Sequence, residues 1–135
     1  MADITITAGN VIGYGTRLQG VAGGTITAGL AVQKNSSGEI VAASDDTATN
    51  AAAVGVALCG ASSGQPVYYQ QSGLIDIGGT VDIGKVYVLS TSGGIAPVDD
   101  IAGSEFVTVL GIGTTTALIK LGINASGVAA AGGVT

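Results

Sequence analysis

Apolar residues in this chain recur at every second position, in short runs separated by glycine. Ile4 and Ile6 alternate with Thr5 and Thr7, and Ile26 and Ala28 with Thr25 and Thr27. The runs Val54/Val56/Leu58, Ile75/Ile77, Val81/Ile83, Val86/Val88 and Ala117/Ile119/Leu121/Ile123 repeat the pattern. A period of two puts alternate side chains on opposite faces of a strand, whereas an amphipathic helix needs spacings of three and four. Thr, Val and Ile also suit a pleated surface. Turn signals punctuate the runs at Gly23-Gly24, Asn35-Ser36-Ser37-Gly38, Ser62-Ser63-Gly64, Gly78-Gly79 and Ser92-Gly93-Gly94. A spacing of mostly about 8–15 residues between turns is that of a sandwich or small barrel. Helix is confined to short turns at Asp45–Ala53 and Asp99–Gly103, each too short to stand alone. The expected fold is all-β, a compact small β-barrel or sandwich.

Aromatic residues make up only 4% of the 135, with no Trp, so the core must be built from Val, Ile, Leu and Ala. Such a core is thin, and burial of more surface in a homo-oligomer is the expected supplement. An internal echo organises the chain. Gly29, Ser37, Gly38, Ile40 and Asp45 reappear as Gly84, Ser92, Gly93, Ile95 and Asp100, and Val54-Gly55-Val56 as Leu110-Gly111-Ile112. Two related β-units follow, about 25–75 and 81–124, within one domain of residues 25–124. Chance matching of glycine-rich segments is the alternative. Residues 1–24 read as first strands and an extended N-terminal arm, and residues 125–135, all Ala, Gly, Val, Ser and Thr, as a flexible tail.

The chain has no histidine, nine acids and four bases, the bases isolated at Arg17, Lys34, Lys85 and Lys120. Proton transfer near neutral pH usually recruits His or a tuned carboxylate pair. No enzyme activity, cofactor or metal is expected: Asp45-Asp46 and Asp99-Asp100 lack the oxygen-ligand spacing of a cation loop and read as turn initiators. A net charge of −5 without a basic cluster disfavours nucleic acid. The uncharged stretch Thr47–Ile75 is broken by Asn, Gln, Pro, Ser and Gly, so no membrane span is expected, and no targeting segment opens the sequence. Cys59 shares strand parity with Gly55 and Ala57 and reads as a small buried packing residue. In Tyr68-Tyr69, parity with Val67 points Tyr69 inward and Tyr68 outward. An outward Tyr is either an interface anchor or lies along its own surface.

The runs Gly55–Val67, Gly73–Gly78, Val86–Ser90 with Gly93–Pro97, and Leu121–Ala125 resemble segments of small structural proteins of tailed bacteriophages. The chain from about residue 25 onward is similar to the capsid decoration, or cement, proteins of that group. The resemblance implies a compact β-fold, often trimeric, on the outer surface of the virion head, clamping neighbouring copies of the major capsid protein. It brings no catalytic residues. A decoration protein needs strand edges or arms for pairing, so residues 1–20 are expected to supply an arm that adds to a coat subunit. The candidate interface residues are Ile4, Ile6, Val11, Ile12, Tyr14 and Tyr68. A β-rich fibre or cell-surface adhesion module that binds a receptor or glycan is the rival; the missing Trp and signal peptide count against it.

Overall fold

The computed structural model describes residues 3–100 and 105–129. Among them the strands are β1 (Val11–Gly13), β2 (Arg17–Val21), β3 (Ala31–Lys34), β4 (Ile40–Ala42), β5 (Ala53–Ala57), β6 (Pro66–Gln70), β7 (Ser72–Ile77), β8 (Val86–Leu89), β9 (Ile95–Pro97), β10 (Phe106–Gly113) and β11 (Leu118–Ala129). They form two antiparallel sheets, one in the order β1-β7-β11-β10-β8-β9 and the other β2-β6-β5-β3-β4. The fold is all-β and sandwich-like; of the two architectures expected, the closed barrel is not formed. Among the described residues helical structure is limited to 3₁₀ turns at Ala8–Asn10, Thr91–Gly93 and Val98–Asp100. The segment Asp45–Ala53 makes one α-type bond, Ala51 N–H to Thr47 O at 2.9 Å, and one longer 3₁₀-type bond, Ala52 N–H to Thr49 O at 3.4 Å, before β5 begins. Of the expected turn at Asp99–Gly103, residues 101–103 lie outside the described residues. No helix among the described residues is long and apolar enough to cross a membrane.

Each sheet is built by one pass of the same connectivity. In the five-stranded sheet β3 pairs with β4 and β5, β5 with β6, and β6 with β2. In the six-stranded sheet β8 pairs with β9 and β10, β10 with β11, and β11 with β7. A shift of 55 residues carries β3 onto β8 and β4 onto β9 end to end. The structural unit therefore begins earlier than the sequence echo, at β2 and β7. Gly29 and Gly84 share positive φ (+89° and +80°), as do Gly38 and Gly93 (+79° and +82°). Gly55 and Gly111 are matched by close approach: a Cβ on either would collide with a cross-strand carbonyl, Gln70 O in one unit and Lys120 O in the other.

Strand alternation explains where the core lies. Ala31 and Val56 point from the five-stranded sheet into a cluster shared with Ile75, Ile77, Leu110 and Ile119 of the six-stranded sheet. Their neighbours Val32 and Ala57 point the other way, into a second cluster with Ile40, Val67 and Tyr69. Ile26 and Ala61 cover that cluster, exchanging backbone bonds at 2.8 and 2.9 Å. Cys59, expected to be buried, is half-buried against this cluster, and its Sγ accepts the Tyr68 N–H at 3.4 Å.

Both ends pack on the body of the fold. Of residues 1–24, expected to hold first strands and an extended arm, residues 3–21 are laid along the chain's own body. Ile4 N–H donates to Ile95 O (2.7 Å) and Thr7 N–H to Gly78 O (2.8 Å), while β1 and β2 are edge strands of the two sheets. The alternating isoleucines that would suit strand addition to a partner find apolar cover and acceptors in cis. Residues 125–129, read as the start of a tail, continue β11, with Ala125 opposite Thr108 and Ala129 opposite Phe106. The remainder of that segment lies outside the described residues.

Candidate interface on the six-stranded sheet

Cross-strand register assembles an apolar row on the outer face of the six-stranded sheet. Tyr14 N–H donates to Leu74 O at 3.0 Å, Leu74 is opposite Lys120, Lys120 opposite Ile112, and Ile112 opposite Val86. A second row runs beside it from Ile12 to Asp76 to Leu118. The first row runs from the residue after β1 across β7, β11, β10 and β8, about 19 Å at the usual strand spacing. Ile75 and Ile119, one residue away on these strands, are fully buried, so the outward residues are held by an inner face that cannot turn over. Tyr14 is 63% exposed, Ile12 51%, Ile112 39% and Leu74 38%. Gly122, on the parity of Lys120, leaves a hollow; a Cβ there would meet nothing within 4 Å. Val86, Val109, Ile112 and Gly122 line a shallow depression at this point.

Charge is sparse on this face. Among the described residues Lys120 has no carboxylate partner, whereas Lys85 lies 3.5 Å from Asp99 and 3.8 Å from Asp82. A largely apolar exposed surface whose two rows carry only Lys120 and Asp76 as charged side chains has the make-up of an interface core, where charge is depleted and large apolar side chains gather.

The internal repeat gives this face a counterpart. The equivalent row in the five-stranded sheet is Arg17, Gln70, Val56 and Ala31. There Gln70, Val56 and Ala31 are all 0% exposed, because the six-stranded sheet covers them. One face of the unit is thus already an interface within the chain, and its second copy stands open. The exposed copy carries the larger side chains, Val86 and Ile112 for Ala31 and Val56.

The six residues expected at an interface divide among three places. Ile12 and Tyr14 lie on the outer face. Ile4, Ile6 and Val11 face inward and pack against the core between the sheets. Tyr68 is on the other sheet, 38% exposed, with the Arg17 guanidinium 5.3 Å from its ring centroid; Tyr69 is buried, as strand parity requires. Leu74, Val86, Ile112 and Lys120 lie outside that set of six. The signal for two of them was in the repeat, where Val86 and Ile112 are enlarged counterparts of core positions.

Other clusters are less eventful. Among the described residues no three metal-ligating side chains come together. Asp76 Oδ1 accepts the Gly78 N–H at 3.0 Å, fixing the turn after β7. No family model and no curated protein matches this chain.

Proposed function

We propose that the chain is a structural adhesion protein, a capsid decoration protein of a tailed phage, which holds to neighbouring coat subunits through the outer face of its six-stranded sheet. The observation that supports this most directly is the open Tyr14–Leu74–Lys120–Ile112–Val86 row, the repeat counterpart of a row that is buried within the same chain. The partner is the major capsid protein, the site of action is the outer surface of the virion, and a homotrimer is the favoured assembly. A decoration protein binds at many equivalent sites on one shell, so modest contacts at each suffice.

Co-sedimentation with heads purified from the phage that encodes the chain tests this reading. Wild-type protein is expected to pellet with expanded heads and to stay in solution with unexpanded ones. Ile112→Asp removes apolar burial worth about 1.5 kcal/mol or more, and binding should weaken by about tenfold or more per site. Failure of the wild type to bind overturns the decoration reading. Full binding by Ile112→Asp overturns the assignment of the face.

A further inference from the structure

Asp45 sits in the β4–β5 turn where three segments from both repeat units meet. It is 2% exposed. Its Oδ1 accepts the Thr91 hydroxyl at 3.1 Å, and its backbone carbonyl accepts the Phe106 N–H at 2.8 Å. Next to it, Ser44 Oγ accepts the Ser92 N–H at 3.2 Å. The turn of one unit is thereby fastened to the 3₁₀ turn and the first residues of β10 in the other. Asp45 Oδ2 has no hydrogen-bond partner and is sealed from water. A buried carboxylate oxygen left so would be costly, and a carboxyl group in that place escapes the cost by carrying a proton.

Glu105 immediately precedes Phe106, and its carboxylate makes a charge on Asp45 less favourable. Two other acids with described side chains lie near this seam. Asp46, on the same turn, is exposed and accepts Asn50 Nδ2 at 3.0 Å, and the Asp3 carboxylate lies against Gly94. The Thr91–Gly93 turn brings no ionisable side chain.

We propose that Asp45 and Glu105 share a single proton across the seam between the two repeat units, and that loss of this proton as the pH rises unlatches the seam. In the latched form the Asp45 O–H donates to the Glu105 carboxylate. In the unlatched form the proton has passed to solvent and two carboxylates face each other with Oδ2 unpaired. Burial, opposed by the Thr91 bond and reinforced by Glu105, holds the Asp45 carboxyl above the usual carboxylate range. A raised folded-state value gives stability that is complete below the unfolded carboxyl's pKa and is lost as the pH rises through the folded one.

Carbon-detected NMR of the side-chain carboxyls, with amide hydrogen exchange on the full-length chain, tests the latch. The Asp45 carboxyl is expected to titrate above the ordinary range in the wild type and to fall toward it in Glu105→Gln. Over the same pH interval the Phe106 and Ser92 amides should lose protection, after correction for intrinsic base catalysis. In Asp45→Asn they should not. If that variant fails to fold, the wild-type and Glu105→Gln titrations decide. Ordinary titration of Asp45, or protection that does not follow it, overturns the proposal.

Discussion

Replacing Gln70 with Leu should cost this protein more than its small change in volume suggests. Gln70 is 0% exposed, and its side chain ties the chain's N-terminal edge to both sheets. Nε2 donates to Ser72 O at 2.9 Å and to Leu74 O at 2.8 Å, and Oε1 accepts the Gly15 N–H at 3.2 Å. In Gln70→Leu, Leu74 O keeps the Tyr14 N–H, but Ser72 O and Gly15 N–H lose their side-chain partner. Leaving a buried polar group unpaired costs about 1–3 kcal/mol, and partial solvent access at Gly15 and Ser72 favours the lower end, so about 2–3 kcal/mol for the two. With an unfolding entropy of about 2.1 cal/mol/K per residue, each kcal/mol moves the midpoint of a chain this long by about 3.5 °C. Calorimetry should therefore record a fall of about 7–11 °C. Gln33→Leu is the control: Gln33 is 6% exposed and its side chain makes one bond, to Asn50 Oδ1 at 3.2 Å. Its loss should be near 1 kcal/mol, or about 3–4 °C. Equal midpoints for the two variants would refute the reasoning, since the Gln70 bonds would then contribute no more than a single side-chain bond.

Gly55→Ala and Gly111→Ala should each lose about 1–3 kcal/mol by overpacking in chemical denaturation, because the added methyl meets a backbone carbonyl, while Gly24→Ala, with nothing within 4 Å of its Cβ, should be neutral. Asp45→Asn should melt above the wild type at pH 8, with the gap closing as the pH falls below the raised Asp45 value; a gap that is constant with pH would contradict a proton held at that site. In the Ile112→Asp variant the thermal midpoint should stay near the wild type while adhesion is lost, since Ile112 is already 39% exposed and leaves no cavity.

Strand alternation was legible because each strand has one face that must be covered. Ile75 and Ile77, or Val67 and Tyr69, announce their sheet face without reference to a partner. The repeat was legible for a related reason: Gly29/Gly84 and Gly38/Gly93 occupy positions of positive φ, where residue choice is narrow. Polar joints gave no comparable signal. Gln70 meets Gly15, 55 residues earlier, and Asp45 meets Thr91, 46 residues later, so their roles depend on contacts that only the folded chain creates. Asp45 is the sharper case, since an Asp beside an Asp at a turn ordinarily faces water, and here the β10 strand closes over it. The outer row was hidden for a different reason. Leu74 and Ile112 are ordinary strand residues in isolation, and only the register that puts Lys120 between them makes a surface.

The two repeat units close their corresponding edges with different segments, and the difference predicts what truncation of the N-terminus does. In the first unit the β4 edge is closed by the same unit: Ala22 bridges Ile40 and Gly23 N–H donates to Ile40 O at 2.8 Å. In the second unit Ile95 stands where Ile40 does, and its carbonyl is met by Ile4 from the far end of the chain. Residues 3–7 thus close an edge that the second unit does not close for itself, and open edges invite pairing with other chains. Ile4 and Ile6 also lie half-buried on the core between the sheets. Removing residues 1–7 should forfeit about 1 kcal/mol for each half-buried Ile, and up to a further 1–2 kcal/mol for the orphaned Ile95 and Gly78 carbonyls. The truncated chain should unfold at lower denaturant and self-associate with rising concentration, both measurable by denaturation monitored alongside sedimentation. A truncated protein that is as stable and as dispersed as the full chain would show that these residues are not needed to close the β9 edge, which is the behaviour required of an arm held ready for a coat subunit.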